Sequence, residues 1–228
     1  MPRMTIILFA AVVVSTIACG AGGNSARNHG GETTARTETE ELPEHGSISK
    51  GKYATEEFEP AFSIRIEERG WQVLPPEARD SLAIATTSSL VIFLNVPRVF
   101  DPNELRQGTQ KPAPEELVAW IEHHHWLDVS RPKPTSVGGV KGQRIDVTAA
   151  RLPKDHSQFC SGPCVPLFAL GNTNNFWIGL DEKVRFVILE DVKGETVTIA
   201  IDTTPKQFEK FLPKAQRILD SVEWKVEP

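Results

Sequence analysis

Apolar and polar residues alternate at a two-residue period in several short runs of this chain, the pattern of strands with one face buried. Phe62-Ser63-Ile64-Arg65-Ile66 is the first, and Trp71-Gln72-Val73-Leu74 resumes after the turn signal of Gly70, which predicts a hairpin. Leu82 to Thr86 and Leu90 to Val96 predict two more strands around Ser88-Ser89. Pro97, Pro102, Pro112 and Pro114 then predict a long, broken surface segment. Thr135-Ser136-Val137 and Ile145-Asp146-Val147 read as strands joined through Gly138-Gly139. Phe176, Ile178 and Leu180 alternate, and so do Val197, Ile199 and Ile201 beyond a Lys193-Gly194 turn. Between them Val184 to Leu189 is nearly continuous apolar sequence, which predicts a central strand covered on both faces.

Two stretches follow the helical period instead. Pro114-Glu115-Glu116 predicts a helix start, with proline near the first position and carboxylates at the positive end of the dipole. Leu117, Trp120 and Ile121 form its buried stripe, and the same spacing extends to His124. Near the end, Phe208, Phe211, Leu212, Ala215, Ile218, Leu219 and Val222 lie at helical spacing, with Pro213 predicting a kink or two short helices. Trp224 closes the domain as a short strand. Strands grouped on either side of one helix, with another helix at the end, define an α+β class: a mostly antiparallel sheet with helices packed on it.

The N-terminal region differs in kind. Arg3 precedes an apolar run from Thr5 to Ala18, too short to span a bilayer and of the length of a signal-peptide core. It ends in Thr16-Ile17-Ala18-Cys19, which resembles a bacterial lipobox, so residues 1–18 are expected to be removed and Cys19 to be lipidated as the mature N-terminus. From Gly20 to about Glu57 the sequence is Gly, Ser, Thr, Asn and Glu with hardly an apolar residue, which predicts a disordered tether over residues 19–57. Such a coil would hold the domain roughly 30–35 Å from its anchor. Residues 58–228 are left as a single domain, long enough to bury a core.

Overall composition changes this picture only by exclusion. The 228 residues carry a formal charge of −5 with 39% hydrophobic and 24% charged residues. That balance supplies no general attraction to nucleic acid or to anionic lipid. The expected membrane contact is the N-terminal lipid, and the expected partner a protein or small ligand of unknown identity.

Phe62-Ser63-Ile64, Gly70-Trp71, the order of strands, and the closing Phe211 through Ile218-Leu219-Asp220-Ser221-Val222-Glu223-Trp224 resemble the PsbP-like superfamily. That group includes the extrinsic PsbP subunit of photosystem II, a Ran-binding import factor and small actinobacterial lipoproteins of the LpqN type. The resemblance covers most of Phe58 to Pro228 and implies a PsbP-like α/β/α sandwich. It also implies action by binding other proteins, since the superfamily has no shared catalytic residues.

Candidate chemistry is confined to a few places. Cys160 and Cys164 flank Ser161-Gly162-Pro163, whose turn would bring the two thiols into bridging range in an exported, oxidising setting, and a local disulfide is the first expectation. His156, Cys160 and Cys164 form an alternative His-x3-Cys-x3-Cys set for copper or zinc, and thiol exchange is a further alternative. His123-His124-His125 cannot converge on one ion while a helix persists, because neighbours diverge by about 100°. His124 is therefore expected to point inward, with His123 and His125 flanking it. Asp155-His156-Ser157 are adjacent and cannot form a relay, and Val137-Gly138-Gly139-Val140-Lys141-Gly142 lies between strands, so it reads as a turn. The sequence thus predicts a non-enzymatic accessory module at the cell surface with no cofactor, the alternative being a metal-binding or thiol-redox lipoprotein.

Overall fold

The computed structural model describes residues 39–75, 80–105, 107–153, 163–171 and 174–225. The first strands are β1 (Thr39–Glu41), β2 (Gly46–Ile48), β3 (Gly51–Ala54), β4 (Phe62–Ile66) and β5 (Trp71–Val73). They are followed by β6 (Ser81–Ala85), β7 (Ser89–Asn95), β8 (Arg98–Phe100), β9 (Gln110–Pro112) and the short helix α1 (Leu117–Glu122). The second half contains β10 (Leu127–Val129), β11 (Lys133–Val137), β12 (Val140–Ala149), β13 (Val165–Leu170) and β14 (Asn174–Ile178). It ends with β15 (Lys183–Val192), β16 (Glu195–Thr203), helix α2 (Phe208–Asp220) and β17 (Glu223–Trp224). The fold is sheet-rich, with two helices among the described residues.

Three sheets form. The largest runs β10-β12-β15-β16-β7-β6-β5-β2, with β11 paired to β12. A second runs β1-β3-β4-β17 and a third β14-β13-β8-β9. Pairing is antiparallel except between β1 and β3.

The continuous apolar run of β15 has the two-faced burial its sequence predicts. Val184, Phe186 and Ile188 lie in one buried cluster with Ile145, Val147, Phe168, Phe176 and Ile121. Val187 and Leu189 lie in the other, with Ile64, Ile66, Phe93, Ile199, Phe211, Ala215 and Ile218. The central sheet therefore separates two apolar layers, and over Phe186 to Leu189 both faces of β15 are buried.

The turns at the tips of the long hairpins also follow the sequence. Gly138 and Gly139 have φ of 55° and 82°, the left-handed backbone that a two-residue hairpin between Val137 and Val140 demands. Lys193 and Gly194 close β15 onto β16 in the same way, with φ of 57° and 88°.

Several expectations are corrected. Phe62–Ile66 and Trp71–Val73 do not pair: β4 joins β3 and β17, whereas β5 joins β2 and β6. The alternation defined which side chains face inward but left the partner strand open. Residues 39–57, assigned to the tether, carry β1, β2 and β3 instead, with Ile48 and Tyr53 buried in the core. Two apolar side chains at the right face are enough to seat those strands, although the segment as a whole is polar. The compact unit begins at Thr37. The proline-broken segment after Pro97 contains β8, whose Val99 and Phe100 are buried. Leu180 falls outside β14 and is the exposed end of that alternation, at 58%. Helix α1 starts at Leu117, with Glu116 as its N-cap and no acidic residue in its first turn, and His123 is already its C-cap. The three histidines lie in the turn beyond the helix, not on it.

Helix α2 runs unbroken from Phe208 to Asp220 through Pro213. Pro213 lies on the exposed side, so water can satisfy the carbonyl that proline leaves without a donor, while Phe211, Ala215, Ile218 and Leu219 stay buried. Lys183 and Arg185 sit over the ring of Phe208 at 4.1 and 5.5 Å, and Arg185 is held by two hydrogen bonds to Asp146 of 2.6 and 2.8 Å.

At Gly142 two strands approach too closely for any side chain. A Cβ there would lie 2.1 Å from the Ile188 carbonyl oxygen, a backbone atom that cannot rotate away. Gly142→Ala is expected to destabilise the protein by about 3 kcal/mol, the upper range for overpacking, read as a fall in the urea midpoint.

Candidate functional site

A groove of about 740 Å³ opens between segments far apart in sequence. Glu41, Leu42, Pro43 and Glu44 come from the end of β1 and the turn after it. Thr55, Glu56, Glu57, Phe58 and Glu59 come from the β3–β4 connection, and Leu74, Ser81 and Leu82 from the β5–β6 region. The floor is apolar. Phe58 is buried, and Leu42 and Leu82 are partly buried against the same core that holds Phe62 and Phe93. Phe58 meets Phe62 and Phe93 edge-on at 5.8 and 6.2 Å, which fixes the floor to the core.

The rim is acidic. Glu41, Glu44, Glu56, Glu57 and Glu59 are all exposed, and among the described residues only Glu56 has a cation within 4 Å, Lys225 at 3.6 Å. The Thr55 hydroxyl accepts a hydrogen bond from the Phe62 amide and is taken up in holding the loop. The groove thus combines an anionic margin with a leucine and phenylalanine base, a lining suited to binding.

Of the predicted site residues Cys164 is the described one, and it does not line this groove. Cys19, His156 and Cys160 lie outside the described residues, as do Asp155 and Ser157. Cys164 is buried just before β13. Among the described residues no group of three His, Cys, Asp or Glu side chains is arranged to hold a metal ion. No described helix is long and apolar enough to cross a membrane.

His124 points inward as its spacing predicts, at 2% exposure, whereas His123 and His125 are exposed. It packs edge-on against Trp120, ring centres 5.0 Å apart, and lies 6.1 Å from the parallel ring of His125. Neither ring nitrogen has a hydrogen-bond partner among the described residues. Burial, with a smaller contribution from His125, pushes its pKa down to about 4. The imidazole serves as an apolar plate in the layer that also contains Phe168.

A half-buried carboxylate was not legible in the sequence. Asp202 of β16 lies opposite Val184, and its Oδ1 has no partner among the described residues. Burial raises its pKa to about 7, reinforced by the nearby charge of Glu182. Glu182 is itself shifted upward, mainly by burial, although its carboxylate accepts a 2.7 Å hydrogen bond from the Gly179 amide. The alternation of β16 hid this carboxylate among residues whose neighbours are apolar.

No protein-family model matches the chain, and no curated protein matches it. Among solved structures, one described as the crystal structure of LpqN, involved in cell envelope biogenesis of Mycobacterium tuberculosis, is similar with a TM-score of 0.36. Its identity is 10%, over 78% of this chain and 89% of that one. Neither fold nor function is carried over at that level.

His124 and Asp202 titrate in opposition. His124, with its folded pKa below the ordinary 6.5, contributes stability that is complete above 6.5 and is lost as pH falls toward about 4. Asp202, with its folded pKa above 3.8, contributes stability that is complete below 3.8 and is lost as pH rises toward about 7. Between pH 4 and 6.5 the slopes oppose each other. Urea midpoints should therefore rise with pH in Asp202→Asn more steeply than in the parent, and fall with pH in His124→Phe. Equal slopes in all three proteins would show that neither group titrates as its burial dictates.

Proposed function

We propose that this protein is an exported, lipid-anchored accessory module of the cell surface that works by binding and not by catalysis. The observation that carries the reading is the Thr5–Ala18 apolar run ending in Thr16-Ile17-Ala18-Cys19. A small residue before the cysteine admits the peptidase, and the Cys19 thiol accepts the lipid. More than one acyl chain is needed for a stable anchor, because a single chain holds only marginally. The groove lined by Glu41, Glu57, Leu74 and Leu82 gives such a module a binding surface. The acidic balance of the chain favours a protein or small ligand over nucleic acid.

The domain is proposed as a PsbP-like sandwich. Support comes from the apolar stripe of α2, which shares a buried cluster with β4 and β16, and from Leu117, Val118 and Ile121 of α1, which share the opposite cluster with β12 and β15. A bridge between Cys160 and Cys164 belongs to the same reading. Burial of Cys164 supports a structural over a reactive thiol, since exchange and metal capture need access.

Two experiments test this. Cys19→Ser should move the protein from the membrane fraction to the medium or leave an unprocessed precursor. A wild-type protein found mainly in the medium, with no lipid mass on Cys19, overturns the anchor. Replacing Cys160 and Cys164 by Ser should lower stability by about 2 kcal/mol or less, as closing so short a loop implies. Stoichiometric zinc or copper on the purified protein, lost on His156→Ala, would instead establish a metal site.

A further inference from the structure

We propose that the groove between β1, the β3–β4 connection and the β5–β6 region takes a basic peptide segment of a partner protein, one that carries leucine or phenylalanine between its lysines or arginines. The inference rests on the reading of the protein as a binding module and names what its groove would bind.

Charge complementarity is the first argument. Five glutamates, Glu41, Glu44, Glu56, Glu57 and Glu59, stand around one opening, and among the described residues only Glu56 is paired, to Lys225. Like charges gathered at one margin repel one another, and an incoming cationic chain relieves that repulsion at several points together. An anionic ligand would meet the same margin as a barrier.

The floor supplies the second argument. Leu42 and Leu82 are only partly buried, although they pack on the core, so apolar surface remains open at the base of the groove. A purely hydrophilic cation would leave that surface in water, whereas an apolar side chain between two basic ones covers it while its neighbours reach the carboxylates. Specificity then divides between the two: the rim selects charge and steers the encounter, and the floor selects the apolar residue.

The third argument is shape. A volume of about 740 Å³ lies within the range of small-molecule pockets, but those enclose most of the ligand surface. This groove is only partly enclosed, which suits a length of chain lying in it. A single metal ion is disfavoured because, among the described residues, no three carboxylates converge.

The test uses the full chain in a neutral detergent, with binding to detergent alone subtracted. Its probe is a short fluorescein-labelled peptide alternating Lys and Leu, read by fluorescence anisotropy. Binding is expected to weaken as salt rises. It should weaken at least about tenfold in the Glu44→Gln, Glu57→Gln double variant, which corresponds to about 1.4 kcal/mol. Both positions are exposed and unpaired among the described residues, so the variant should keep the parent urea midpoint. An all-lysine peptide should bind more weakly than the Lys-Leu probe, and a Glu-Leu peptide should not bind. The proposal is overturned if the probe fails to bind, if the double variant binds it as the parent does, or if the all-lysine peptide is as good. It is likewise overturned if spermine displaces the probe at equal charge concentration, which would make the occupant a polyamine. Membrane fractionation of the double variant keeps the two readings apart. A variant that remains on the membrane yet loses the probe leaves the anchor intact, whereas a soluble parent that binds the probe removes the anchor and keeps the groove.

Discussion

Burial of β15 and β16 on both faces is the constraint on which the rest of the structure depends. Val184, Phe186 and Ile188 point one way and Val187 and Leu189 the other, so the strand is stable only when both sides are covered. One side is covered by the sheet containing β4 together with the stripe of α2, the other by β13, β14 and α1. The peripheral elements are short and individually weak. β1, β2, β5, β8, β9 and β10 have three residues each, below the length at which a hairpin persists alone in water. They hold their places because the central strands offer apolar surface on two sides, and the groove that opens beside the ends of β1 and β5 inherits its position from that core.

Polar interactions set register and edges more than they add to cohesion. The Asp146–Arg185 pair joins β12 to β15 beside the row of apolar contacts, and Arg185 and Lys183 cap the Phe208 ring at the start of α2. Among the described residues Lys111 reaches the buried Asp101, and the remaining ion pairs join partly exposed side chains; Lys214 and Arg217 with Glu68 fasten α2 to the loop after β4. Exposed pairs of this kind are individually worth little, typically about 0–1 kcal/mol. Their use is geometric: they fix how α2 lies along a sheet whose apolar surface alone would tolerate several angles.

Sequence pattern conveyed the parts of this fold that depend on near neighbours. The unbroken run of β15 and the Gly138-Gly139 and Lys193-Gly194 hairpins follow from spacing alone, because face and turn are properties of a few consecutive residues, whereas His124 is buried from the turn beyond α1 and not as part of a helical stripe. Partner choice is not such a property. Gly70 signalled a turn, but Phe62–Ile66 and Trp71–Val73 separate into different sheets because β3 and β6 compete for their edges. β3 was itself concealed, since Tyr53 and Ile48 are isolated apolar residues in a long polar stretch. The groove was invisible for the same reason. Glu41, Glu57, Leu74 and Leu82 come from four places in the chain and mean nothing together until the sheets bring them to one opening.

The last strand has a consequence for the order in which the chain can acquire structure. β17 pairs Glu223 with Ser63 and Trp224 with Phe62, the Ser221 hydroxyl accepts from the Arg65 amide, and the Trp224 indole donates to the Val137 carbonyl. The sheet begun near the N-terminus is therefore completed by residues about 160 positions later. Until those last residues are in place, one edge of β4 has no partner and the indole that packs edge-on against Phe62 has not arrived. A protein wired in this way postpones its final closure until almost all of its chain is available to fold.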